Sequence, residues 1–176
     1  AANYFVTLFN PQYDKIGAAK YSTEGAVVHW LTSNFGAVQS SIASMGPPDG
    51  GTNIAHGLAL GRQILDGSGK RANAVRVLVL LTDGVANHYC GSSTYNPSAY
   101  NSTSCSVSSA VNPAVQHSYA EAQRAADEDI LIFTIGLGYG VDQSFLEEIA
   151  EIGGGRYYFS PTAEQLDEAL QAIAEQ

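Results

Sequence analysis

The chain has 176 residues, 45% hydrophobic and 14% charged, with a formal net charge of −9. That is enough for a substantial core, most simply as one domain over 1–176, and it is unlike a disordered composition. No apolar run reaches the roughly 18 residues of a membrane-spanning helix. Residues 1–119 hold 5 acids and 6 bases, residues 120–176 hold 12 acids and 2 bases, so no basic face is available for a phosphate backbone and nucleic acid is not an expected partner. Acidic, solvated helix faces account for most of that charge.

Residues 1–9 read as a helix already under way, closed by Asn10-Pro11. Ile16–Ser22 and Ala26–Thr32, joined at Thr23-Glu24-Gly25, predict a β-hairpin. Asn34–Met45 has helical spacing and is followed by the breaker Gly46-Pro47-Pro48-Asp49-Gly50-Gly51. Asn53–Leu65 is again helical, with Thr52 as its candidate N-cap. Val75–Leu81 is almost continuously apolar, the mark of a strand buried on both faces of a parallel sheet.

A polar stretch follows, an inserted loop over 85–111. Asn112-Pro113 predicts a helix running to about Glu128, with Asn112 as its cap. Ile130–Ile135 predicts a strand, Gln143–Ile152 a helix, Arg156–Ser160 a strand, and Thr162 with Gln165 a capping box for a last helix over Ala163–Ala174. Strands and helices alternating in this way predict an α/β fold: a doubly wound, mostly parallel sheet with helices on both faces and one antiparallel edge hairpin.

The only cysteines, Cys90 and Cys105, lie in the inserted loop. A disulfide between them would close it and place the protein in an oxidising compartment. Zinc held with the flanking His88 and His117, or two free thiols, are the alternatives; the spacing matches no common zinc pattern. The same loop carries Tyr89, Tyr95 and Tyr100 among Ser and Asn, a composition typical of recognition surfaces, and predicts a ligand-binding loop.

Two short motifs carry the most chemistry. Val75–Leu81 runs into Thr82-Asp83-Gly84, which puts a carboxylate where the backbone leaves the sheet, and Gly50-Gly51-Thr52-Asn53 can bring a hydroxyl to the same edge. Both are hard oxygen donors suited to Mg²⁺, Ca²⁺ or Mn²⁺. Turn and capping roles for the same residues compete with this reading. Gly136-Leu137-Gly138-Tyr139-Gly140 imitates a dinucleotide loop, but its third glycine falls one place early and no basic residue is near. No Gly-x-Ser-x-Gly elbow is present and nothing gathers a catalytic triad, so an enzyme is not expected.

Over essentially its whole length the sequence resembles the von Willebrand factor type A family. The resemblance rests on Asp14-Lys15-Ile16-Gly17, Gly51-Thr52-Asn53-Ile54, Val77–Gly84, Ile132–Gly138 and Gly154-Gly155-Arg156-Tyr157-Tyr158, in that order. It implies a metal-ion-dependent adhesion site at the carboxyl ends of the strands, with Thr52 and Asp83 as metal ligands, a divalent cation as cofactor and an acidic group on a protein partner completing the shell. The family's Asp-x-Ser-x-Ser motif and the central strand before it do not occur in these residues. The expectation is that this strand comes from a separate or neighbouring segment, and that the cation site is incomplete in this chain. The implied function is an extracytoplasmic adhesion or protein-binding module, secreted or at the cell surface, with a weak likeness to the pilus-assembly branch. The alternative is a metal-free structural scaffold in a surface or pilus assembly; an intracellular assembly factor would require reduced cysteines.

Overall fold

The computed structural model describes residues 2–47 and 50–176. Ala1, and Pro48 and Asp49 of the predicted breaker, lie outside the described residues. The elements are α1 (Ala2–Thr7), β1 (Ile16–Tyr21), β2 (Gly25–Thr32), α2 (Phe35–Ala43), α3 (Ile54–Asp66), β3 (Arg76–Thr82), β4 (His88–Cys90), β5 (Val107–Ser109), α4 (Val111–Asp127), β6 (Ile130–Leu137), α5 (Gln143–Ile152), β7 (Gly154–Ser160) and α6 (Ala163–Ala174). A 3₁₀ turn at Pro97–Tyr100 interrupts the loop between β4 and β5.

The centre is a parallel sheet in the order β3-β6-β7, with Leu78 opposite Ile132 and Leu81 opposite Ile135. Apolar residues at both parities of β3 and β6 let each strand bury two faces. Leu78, Leu80, Ile130 and Ile132 pack with residues of α3, α4 and α5 such as Leu58, Ala122 and Leu146. Val77, Val79, Leu81, Phe133 and Ile135 turn the other way, against Leu170 and Ile173 of α6 and Phe5 of α1. The architecture is the α/β arrangement the alternating pattern predicts.

Local chemistry sets the helix starts. Asn34, Asn53, Asp142 and Thr162 each accept a hydrogen bond from a first-turn amide, of Ala37, His56, Phe145 and Gln165 respectively; such caps contribute about 1 kcal/mol each. Two predicted caps shift. Helix α3 is capped by Asn53, not Thr52, which leaves the Thr52 side chain outside the helix. Helix α4 begins at Val111 behind Ala110, without a side-chain cap, so Asn112 is already inside it.

The hairpin β1–β2 is a separate antiparallel pair. Among the described residues, no strand pairs the edge of β3 that faces away from β6, or the edge of β1 that faces away from β2. Those two edges face each other across a cleft of about 680 Å³, lined by Ala19 and Tyr21 of β1, Val77 and Val79 of β3, Gly57 of α3 and Leu170 of α6 among others.

Candidate functional site

The carboxyl end of β3 delivers Thr82 into the interior and Asp83 to the surface. Thr82 Oγ1 lies 3.3 Å from Gly84 N, closing the turn under the aspartate. Gly51-Thr52-Asn53 reaches the same rim because both of its flanks are anchored. On the hairpin side, Gly51 N donates to Thr23 Oγ1 at 2.7 Å and Asn53 N to the Ser22 carbonyl at 2.7 Å. On the β3 side, Thr52 N donates to Asn87 Oδ1 at 2.7 Å, while Asn87 N and His88 N donate to the Thr52 carbonyl.

The result places the Thr52 hydroxyl against Gly84: a methyl group built at that glycine would lie 2.9 Å from Thr52 Oγ1. Thr52 and Asp83 therefore sit at one rim. The turn after β6 closes on it too, since a methyl group at Gly140 would lie 3.3 Å from the Asp83 carbonyl. Tyr139 in that turn is 84% exposed, its ring edge-on to Phe159 at 5.4 Å. Tyr21, at the end of β1, crosses the cleft to donate its hydroxyl to the Leu81 carbonyl at 2.5 Å. Burial is the main reason its phenol is held far above the ordinary range, and the nearby Asp83 charge adds to that.

As a cation site this rim is a partial one. Asp83 forms no ion pair among the described residues, so its carboxylate is available. One carboxylate and one hydroxyl are two donors where a hard divalent ion takes about six. Among the described residues, no group of three acidic, His or Cys side chains includes Asp83. Two donors alone make a weak site for a divalent ion.

The inserted loop corrects the sequence reading. It is built as an antiparallel pair, β4 with β5, around the disulfide Cys90–Cys105. Tyr100 is 0% exposed and packs with Cys90 and with Ala55 and Ala59 of α3, Tyr89 is 6% exposed within the main core, and Tyr95 is half-buried beside Tyr100, so these rings face inward rather than forming a surface. Tyr100 accepts from Cys90 N at 2.9 Å and lies 2.8 Å from His117 Nδ1. Tyr95 donates to Glu121 Oε1 at 2.6 Å, and the same carboxylate oxygen accepts from Arg124 at 2.7 Å. Burial drives the Glu121 carboxyl up, against the hydrogen bonds from Tyr95 and Arg124. The Tyr95 phenol is pushed up to about 12, first by burial and then by Glu121.

Zinc held by the cysteines with His88 and His117 is not what forms. The sulfurs are bonded to each other, His117 faces Tyr100, and His88 lies 2.6 Å from Asn87 Oδ1. The histidine beside the cysteines is His56, fully buried on α3, with Nδ1 3.7 Å from Cys105 Sγ and accepting from Gly25 N at 3.0 Å. Sequence spacing gave no sign of His56, which approaches the pair only through tertiary packing.

The family model for the von Willebrand factor type A domain matches residues 1–172. None of the curated proteins matches the chain. Among solved structures, a von Willebrand factor type A protein from Catenulispora acidiphila shares 15% identity at a TM-score of 0.71, covering 99% of this chain and 36% of its own. The vWF domain of the type V pili tip protein Mfa5 from Porphyromonas gingivalis shares 16% at 0.75, with 98% and 84% covered. The pilus adhesin SpaC from Lactobacillus rhamnosus GG shares 17% at 0.70, with 98% and 26% covered. The chain thus spans about a third of the Catenulispora protein it resembles, and at these identities the likeness is one of fold.

Proposed function

The chain belongs to the von Willebrand factor type A domain family, and from that premise we propose that it is an extracytoplasmic adhesion-type module that binds a partner protein at the Thr52–Asp83 rim, with a binding rather than a catalytic role. The observation that carries this reading is the convergence of the Thr52 hydroxyl and the exposed Asp83 carboxylate at one end of the parallel sheet, where open α/β sheets hold their ligands. The disulfide, with Cys90 buried and Cys105 half-buried, supports an oxidising compartment. The pilus tip and pilus adhesin relatives support a surface or pilus setting.

In the finer form of the proposal, Thr52 and Asp83 are this chain's share of a Mg²⁺, Ca²⁺ or Mn²⁺ site. The remaining oxygens come from a segment outside these residues and from an acidic group on the partner. A domain of net charge −9 would repel an acidic partner at Asp83 unless a cation lay between them. The incomplete donor set favours a second reading, a metal-free scaffold that uses the same fold to assemble.

Calorimetric titration of the 176-residue chain with Mn²⁺ separates the two. The cation reading expects weak, millimolar-range binding that disappears in Asp83→Ala. Heats that are identical in chain and variant, or zero in both, leave the scaffold.

A further inference from the structure

Trp30 is the chain's sole tryptophan, and it is 50% exposed. Helix α3 starts at the Thr52–Asp83 rim, and its 13 residues carry its other end roughly 20 Å away. There Trp30 of β2 and the last turn of α3 border an open groove of about 530 Å³, lined by Trp30, Arg62, Gln63, Asp66, Gly67 and Ser68. The indole lies along the helix end: a methyl group built at Gly67, the residue that closes α3, would stand 3.7 Å from Trp30 Cε3.

The charges in the groove are already paired. Arg62 donates to Glu128 Oε1 at 2.8 Å, and Asp66 Oδ1 accepts from Lys70 Nζ at 2.6 Å with Arg76 3.9 Å away. An ionic ligand would have to displace one of these partners, and the balanced charges offer it no net field in return. What remains is neutral recognition chemistry. The Gln63 amide is fixed by its Nε2 bond to the Tyr100 carbonyl at 2.8 Å, which leaves its oxygen as an acceptor. Among the described residues, Trp30 Nε1, Gln63 Oε1, Asp66 Oδ2 and Ser68 Oγ make no hydrogen bond. An aromatic face is thus bordered by an indole donor, a hydroxyl and two acceptor oxygens.

We propose that this groove binds a neutral saccharide, with an all-equatorial pyranose stacked on Trp30. Such a ring has axial C–H bonds on both faces and hydroxyls around its edge. The C–H groups meet the electron-rich indole face, while the edge hydroxyls donate to Gln63 Oε1 and Asp66 Oδ2 and pair with Ser68 Oγ. A wholly apolar ligand would instead cover those oxygens and leave them unpaired. The groove needs no cation and lies at the other end of α3 from the rim, so either site can fail without the other.

Tryptophan emission reports on this groove alone, because Trp30 has no second tryptophan to compete with it. The probes are cellotetraose, which offers hydroxyls only, and chitotetraose, which adds acetamido groups, each titrated at millimolar concentration in a chelator. We expect a saturable change in emission with at least one of them, matched by calorimetric heat. Trp30→Ala should weaken that binding about tenfold or more, and Ser68→Ala, at an exposed position, about threefold. Should Trp30→Ala not fold, Ser68→Ala decides. The proposal is overturned by neither saccharide giving heat or an emission change, by saturable heat with constant emission, or by binding that either folded variant leaves at full strength.

Discussion

The inserted loop and strand β3 invert what their sequences suggest. The loop is polar and irregular, yet its groups find partners inside the fold: Tyr95 with Glu121, Tyr100 with His117 and Cys90 N, Arg124 with Asn101. Strand β3 is regular and almost continuously apolar, yet one of its two backbone edges meets no strand among the described residues. Burying side chains and satisfying the backbone are separate requirements, and one segment can meet the first without the second.

The largest effect that would break the contrast is reduction of Cys90–Cys105. It should lower stability by about 3 kcal/mol for a loop of this size, or roughly 6–12 °C in Tm. Calorimetry with and without a dithiol reads this; an unchanged Tm would mean that the tyrosine network holds the loop alone.

Next comes Tyr100→Phe, which strips a partner from buried Cys90 N and from His117 and should cost about 1–3 kcal/mol. Tyr21→Phe removes only the bond across the cleft, at about 1 kcal/mol. Chemical denaturation of both variants sharpens the comparison, and the reverse order would make the cleft the better satisfied region.

Acid should also act on the loop. Burial is the main cause that lowers the pKa of His56 and of His117. Groups with depressed folded-state values contribute stability that is present above the ordinary imidazole pKa of about 6.5 and lost as pH falls through the folded value. Glu121, raised by burial, works the opposite way, its contribution being lost as pH rises. Tm should therefore fall from pH 7.5 to 5.5, with a shallower fall in His117→Gln; equal slopes would take His117 out of the account. Smallest of all, Asp83→Ala should change stability by less than about 0.5 kcal/mol, because the side chain is exposed and unpaired.

Much of this was legible in the residues. Apolar runs at both parities announced β3 and β6, Thr162 with Gln165 announced the cap of the last helix, and Thr52 with Asp83 could be placed at one rim because each sits where regular structure ends or begins. The inward turn of Tyr89 and Tyr100 was not legible. Tyr and Ser read alike on a recognition surface and in a small polar core, and only the three-dimensional approach of α4, bringing His117 and Glu121, decides between them. His56 beside the cysteines was hidden for the same reason: its nearness spans 49 residues of sequence.

The most direct measurement is amide exchange along β3 in the chain alone. A strand paired on one side only should alternate, with Leu78 and Leu80 slow and Val77, Val79 and Leu81 fast. Uniformly slow exchange from Val77 to Leu81 in a monomer would contradict the one-sided pairing of β3.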